Sequence, residues 1–414
     1  MHQIQSPRPA DGLLVAEAVL PGHPDKLADQ IADAVLDVAL SRDDRAIVQV
    51  ECAVHDAHCH VNGRVATREI QSREFLEATI RAVYERAGFG RTFPGSADPA
   101  DWQCPAPADV QLHWAIQLEE ADPHEQAERG HADDQAIHIG YAVADEGTRA
   151  LPVEHHLVLA LRDELWGLTE RDRALGAGPD GKVLLALRPV DGGRVALDGI
   201  VTSVQHLAAA STVLLERGIR AALWARLQAE RDALGGQLLL DGWSANDPRL
   251  RVNPAGMFSI GGPRNDNGQT GRKLVMDFYG PRVPIGGGAL SGKDPWRLDR
   301  AAALRTRQIA LAMVETGFVR EALVTFAWGP RDRRPSWVEL RADGRVLDAR
   351  ATAGWLKRFD PSLEATWEEL GWAGVNWERC AREGHFGRGV PWEDGTDVAS
   401  DRSGCHVAAE AGAP

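Results

Sequence analysis

The feature that most constrains this chain is a recurring pattern. At least three times, paired stretches of alternating apolar and polar residues give way to a long helical stretch. A half-buried strand pair must cover one face and an amphipathic helix one stripe. The pattern therefore predicts an α/β (α+β) fold of repeated layers, with helices on one face of each sheet. No sequence repeat accompanies it, so any internal symmetry is structural only.

Residues 15–19 read as a short strand, and Pro21-Gly22-His23-Pro24-Asp25-Lys26 as a turn opening a helix with Pro24 at its first position. Leu27, Ile31, Val35 and Val38 give that helix its apolar stripe. Strands over 46–54 and 58–65 flank a turn at Asp56-Ala57, and Ser72 caps a helix that Gly88 ends. The proline-rich stretch 90–109 reads as a surface loop, and the acidic stretch 117–134 as a lid or disorder. A helix over 157–165 precedes a hairpin turn at Pro179-Asp180-Gly181 and strands over 183–187 and 194–204. A helix over 209–234 follows, ended by Gly235-Gly236. The last third adds a helix to about Glu315 and strands over 323–328 and 336–340. These changes divide the chain into domains over 13–117, 135–247 and 248–397, a lid over 118–134, and a disordered tail over 398–414.

The chemistry concentrates in two glycine-rich runs, 260–273 and 286–294. In the second, Gly286-Gly287-Gly288 lets backbone amides crowd an anion, and Lys293 adds a point charge. A helix starting at Pro295 would aim its positive end at the same anion. Asp299, the only acid in 295–300, makes sense there if a divalent cation lies between it and the anion. Gly287, Gly292 and Lys293 also fit P-loop spacing. That motif needs Ser or Thr after its lysine to hold Mg²⁺, and this chain has Asp294. His23 and Asp25, at the first helix start, form a second candidate group.

Composition excludes several classes. Of 414 residues, 46 are Lys or Arg and 60 Asp or Glu, for a net charge of −14, which argues against general nucleic-acid binding. No apolar run approaches a membrane span, and five scattered cysteines suit a reducing cytoplasm better than a disulfide framework. His55, His58, Cys59 and His60 suggest a metal site only superficially. On a strand, His58 and His60 share one face while Cys59 takes the other.

Taken together, Gly22–Lys26, the run 262–273 and the run 286–294, in this order and separation, resemble S-adenosylmethionine synthetase. Asp134-Gln135 before Gly140-Tyr141-Ala142, and Gly384-His385-Phe386-Gly387-Arg388 before Pro391-Trp392, fit as well, so the likeness covers roughly 13–395. The resemblance implies three similar α/β domains around a pseudo-threefold axis, and a homodimer with shared active sites or a tetramer. The reaction it implies is attack of methionine sulfur on C5′ of ATP. The triphosphate leaves whole and is then hydrolysed to pyrophosphate and phosphate. Such a leaving group needs cations, each worth roughly 4 kcal/mol at 4 Å and an effective dielectric near 20, before desolvation.

By resemblance, Lys182, Arg272, Lys273, Lys293 and Arg297 (a lysine in most of the family) supply those cations, and His23 lies near ribose and triphosphate. Asp25 and Asp299 match the ligands of two Mg²⁺ ions, and Glu51 that of K⁺. Asp180 and Asp266 match acids around nucleotide and amino acid, Phe258 an aromatic that stacks on adenine, and Asp134 a methionine-contacting acid.

The acceptor side departs from the family. Arg64 stands where a glutamate holds the ammonium of methionine, Trp328 where a smaller aliphatic residue is expected, and Met257 where an arginine is usual. The lid is short and offers Glu119 and Glu120 in place of a glutamine-centred pattern. Arg64 either repels the ammonium or pairs with a nearby acid, and the reading favours the first. A non-methionine acceptor is therefore an alternative. A P-loop-type NTPase and a catalytically silent homologue are the remaining readings, and retention of Asp25, Asp299 and Lys293 opposes the second.

Overall fold

A computed structural model describes residues 12–69, 72–91 and 104–393. The expected arm before 12, part of the proline-rich loop and the tail lie outside the described residues. Strand β1 (Leu14–Val19) leads through the Pro21–His23 turn into helix α1 (Pro24–Arg42), which His23 caps by accepting the Asp25 amide on Nδ1. Hairpin β2 (Ile47–His55) and β3 (His58–Thr67) turns at Asp56, and α2 (Arg73–Ala87) runs from the Ser72 cap to left-handed Gly88. The stretch expected as a lid begins instead in strand β4 (Gln111–Glu120), which pairs parallel to β3, followed by short α3 (Pro123–Ala127).

Strand β5 (Ala136–Val143) precedes α4 (Val153–Arg171), longer at both ends than its sequence core suggested. The hairpin turn expected at Pro179–Gly181 is not there. Strand β6 (Ala177–Val190) runs straight through it, with Ala177 opposite His206 and Gly181 opposite Val204. The extra residues are absorbed as a bulge against β7 (Arg194–His206), so turn-forming residues here bend a strand rather than reverse it. Helix α5 (Thr212–Ala233), strands β8 (Leu238–Leu239), β9 (Leu250–Val252) and β10 (Gly268–Gln269), and α6 (Leu274–Asp277) follow. The helix expected from Pro295 starts later, as α7 (Leu298–Glu315), with Arg297 just before its first residue. Then come β11 (Glu321–Trp328), β12 (Trp337–Ala342), β13 (Arg345–Val346), α8 (Ala349–Arg358), α9 (Leu363–Glu369) and α10 (Trp377–Glu383).

The strands form three sheets, in the orders β1-β6-β7-β8 with β9 also on β7, β10-β2-β3-β4, and β13-β12-β11-β5. Helix α4 packs on the first sheet, α1 on the second and α7 on the third, as the layered α/β expectation required. Helices α1 and α7 are buried almost all round, so their charged residues need partners inside. Arg300 of α7 pairs with Asp33 of α1, and Lys26 with Asp29 and Asp277. No described helix is long and apolar enough to cross a membrane.

Candidate active site

Strand β2 organises the site, because both glycine-rich runs dock on the edge that β3 leaves open. Gly268 and Gln269 pair with Val54 and Ala53, and the Thr270 amide reaches the Cys52 carbonyl at 3.0 Å. Further back, the Val50 amide donates to Gly292 O at 2.8 Å and Lys293 bridges to Gln49. Buried Asp294 accepts the amides of Val48 and Trp296 and pairs with Arg129. It is a brace for the run, and α7 begins beyond it at Leu298, so Lys293 does not open a helix as a P-loop lysine does.

Beneath the runs, α1 presents an acid every fourth residue. Asp25 accepts the Gln269 amide at 3.0 Å, Asp29 that of Gly271 at 2.9 Å, and Asp33 that of Gly292 at 2.8 Å. One helical turn per step keeps the three carboxylates on one stripe, each holding a backbone N–H of a glycine-rich run. Gly268 permits this approach, since a Cβ there would sit 2.1 Å from the Pro24 carbonyl carbon. The next acid, Asp37, accepts the amides of Trp377 and Glu378 at the start of α10. Sequence reasoning took Asp25 alone. The i, i+4, i+8 spacing of Asp29 and Asp33 was the available signal for the others.

The candidate residues gather in two groups. In the first, Lys273 Nζ lies 2.5 Å from Asp25 Oδ2, and Arg272 Nε 3.5 Å from Oδ1. Burial would raise the Asp25 carboxyl, but the Lys273 hydrogen bond, the Gln269 amide and the Lys273 charge hold it below its ordinary value. His23 is pushed down to about 4, mainly by burial and then by Lys273, with Lys182 adding to the effect and Asp25 and Asp266 opposing it. Its Nδ1 accepts an amide, so the neutral ring carries its proton on Nε2. Lys182 and Asp266 are exposed beside this group. Asp180 is buried and accepts the Gly262 amide at 2.8 Å, tying β6 to the first run; burial pushes it up to about 6.

In the second group, Asp299 stands in the first turn of α7. Its Oδ2 accepts from Lys293 Nζ at 2.5 Å, and its Oδ1 lies 3.3 Å from His138 Nε2. A Cβ at Gly288 would meet that carboxylate at 2.0 Å. Burial would raise Asp299, but the His138 contact and Lys293 outweigh it and take it down to about 2. Each of these carboxylates thus faces one lysine ammonium. Two ionised oxygen donors with few other protein ligands fit Mg²⁺, which keeps waters and phosphate oxygens in its shell. Among the described residues no group of three or more His, Cys, Asp or Glu could hold a metal alone. Cys59 lies in the core, while His60 stacks on His113 on the opposite face of β3, so Cys59 and His60 do not face a common ligand.

Family models for the S-adenosylmethionine synthetase N-terminal and C-terminal domains match residues 11–94 and 260–394. An S-adenosylmethionine synthase of Thermus thermophilus is 34% identical over 394 residues, 92% of this chain and 95% of that protein. One from Parasynechococcus marenigrum is 32% identical over 401 residues, 92% of this chain and 94% of that protein. The chain belongs to the S-adenosylmethionine synthetase family. It is accordingly an enzyme of the methionine adenosyltransferase type, and the layered α/β fold is the one that family membership requires.

The acceptor side of this synthetase fold reads differently from the expectation. Arg64 is not a free cation: its Nη1 and Nη2 fork onto Glu125 at 2.6 and 2.7 Å, and its Nε reaches Glu119. Glu119 also accepts from Gln117 at 2.6 Å. One guanidinium between two carboxylates leaves the cluster net negative, as a lone glutamate would be. Arg297 pairs with Asp133, the neighbour of the expected Asp134, which is exposed and accepts the Gln135 amide. Trp328 is buried at the end of β11, opposite Ala136. Phe258 is half-buried and fixed through its backbone to His206, and Met257 is exposed. Glu51 is exposed, opposite Asn62 of β3. His138, Glu125 and Asp133 escaped sequence reasoning. A single histidine in an apolar strand and acids in an acidic stretch are ordinarily unremarked.

Proposed function

We propose that this enzyme transfers the adenosyl group of ATP to the sulfur of methionine, releasing triphosphate that it then hydrolyses to pyrophosphate and phosphate. The observation that carries this reading is the pair of carboxylate–lysine contacts, Asp25–Lys273 and Asp299–Lys293, set where two glycine-rich runs line one strand edge. Asp25 and Asp299 are the residues that would hold Mg²⁺, and Glu51 would hold K⁺. The metal, when bound, neutralises polyphosphate charge. Lys273 and Lys293 would offer their ammonium groups to phosphate oxygens, with Arg272, Lys182 and Arg297 adding charge. His23 offers its Nε2–H as a donor. Charge spread over the leaving triphosphate lowers the barrier at C5′, so the bond that breaks is on the sugar carbon. Phe258 takes the adenine, with Asp180 and Asp266 around the substrates and Asp134 on the acceptor side.

The Arg64 cluster supports an ammonium-bearing acceptor over an anionic one, because its net charge is negative. Trp328 bears on the size of that acceptor. Incubation with ATP, Mg²⁺, K⁺ and methionine should yield S-adenosylmethionine by mass spectrometry, with pyrophosphate and phosphate and no ADP. Triphosphate release without the methionine adduct would point to another acceptor, and ADP would end the adenosyl-transfer reading. We further propose a homodimer with shared sites, for which light scattering should give about twice the 44.9 kDa chain mass.

A further inference from the structure

His138 contacts the second charge group, and no motif brought it to notice. It lies on β5, opposite Phe326 of β11, and is 2% exposed. The glycine triplet passes directly over it: a Cβ at Gly286 would sit 2.1 Å from Ile137 O and 3.3 Å from His138 Cα. Its Nε2 faces Asp299 Oδ1 at 3.3 Å, while its Nδ1 is buried without a hydrogen-bond partner. An unpaired buried acceptor nitrogen costs less than a buried N–H with nothing to receive it, so the proton belongs on Nε2, where an acceptor waits.

We propose that His138 is a positioning residue for Asp299, fixing its carboxylate so that Oδ2 is presented to a divalent cation once Lys293 leaves it. The inference rests on the reading of Asp299 as a cation ligand. Asp299 is a short side chain with a free χ2 rotation. Gly288 gives it room on one side, and the Lys293 contact on Oδ2 is one with which a bound cation would compete. The Nε2–H on Oδ1 is the contact that persists when Lys293 turns to phosphate. Ligating carboxylates held in this way lose affinity when the holding group is removed, although that group never touches the metal.

The test is binding of Mn²⁺ by the full-length protein with a non-hydrolysable ATP analogue, read as loss of the free-ion electron paramagnetic resonance signal. His138→Leu should weaken Mn²⁺ binding by about 10- to 100-fold. His138→Gln, which keeps an N–H donor of similar reach, should restore most of that affinity. Melting temperatures accompany each variant, and His138→Phe serves if the leucine variant does not fold. Unchanged affinity in His138→Leu, or equal losses in the leucine and glutamine variants, would overturn the positioning role. Unchanged affinity in Asp299→Asn, or no binding by the wild type, would instead remove the metal reading on which the proposal stands.

Discussion

The open edge of β2 and the β3–β4 side of the same sheet both carry opposite charges in contact, but they use them differently. On the β2 edge, Asp25 and Asp299 each meet a lysine, a single-point contact that a ligand can exchange. On the other side, Arg64 is forked onto Glu125 and held by Glu119, with about a third of each side chain exposed. The fork occupies the guanidinium, so Arg64 itself has little to offer a substrate, while the two carboxylates leave the cluster net negative. On the proposed reading the first arrangement suits polyphosphate and a cation, and the second leaves one negative charge on that side of the sheet. An arginine found in a binding region is therefore not by itself a free cation.

The sharpest way to break this comparison is to remove the exchangeable carboxylates. Asp25→Asn or Asp299→Asn should lower kcat for triphosphate formation by about a thousandfold or more, since metal-assisted charge neutralisation is worth several kcal/mol. Circular dichroism should stay unchanged. Turnover at the wild-type rate in either variant would refute its metal role. Lys293→Ala removes one cation from the same edge and should cost about 10²–10³ in kcat. A rise in ATP KM with unchanged kcat would mean that it binds substrate without favouring the transition state.

The fork predicts smaller effects. Arg64→Glu would gather three carboxylates and unlatch α3, speeding proteolysis within 121–133 while costing on the order of 1 kcal/mol of stability. Increased activity with methionine would instead show that the arginine had altered acceptor choice, and the contrast between the two sides would fail.

The smallest effect is thermodynamic and lies away from both regions. Asp37 is pushed up to about 7, chiefly by burial and against the pull of the Glu378 and Trp377 amides. Its folded value thus lies above an unfolded value of about 3.9, so its contribution to stability is fully present below about pH 4 and lost as pH rises through about 7. Asp33 and Asp277, each pushed up to about 6, act in the same direction. Buried His23, His155 and His385, held well below their ordinary value, act in the opposite direction, so the difference is what isolates Asp37: the melting temperature of Asp37→Asn relative to wild type should rise between about pH 4 and 7. An identical slope in the variant would show that Asp37 does not titrate in this range.

Local signals read well from sequence where one physical rule dominated. Pro24 and Ser72 mark helix starts, and Gly88 an end, because capping depends on a few neighbouring residues. Strand β4 was missed although Leu112, Trp114, Ile116 and Leu118 alternate, because the acidic residues that follow suggested a loop. Pro179-Asp180-Gly181 suggested a reversal, but the flanking residues on both sides stay paired with β7 and overrule it. In the candidate site, motif residues could be nominated from the sequence, whereas the side chains they contact could not. That Arg64 would find Glu125, or Asp299 find His138, depends on parallel pairing and on the path of the glycine triplet, which no local pattern encodes.

The docking of both glycine-rich runs on β2 has a consequence for how the protein is made. Residues 48–54 leave the ribosome more than 200 positions before the segments that cover them, at 268–270 and 292–294. Until then the nascent chain carries a bare strand edge able to pair with a neighbouring chain. Any product truncated before residue 268 keeps that edge permanently. Premature termination before residue 268 would thus leave a template for edge-to-edge pairing, a risk that follows from the order of the segments.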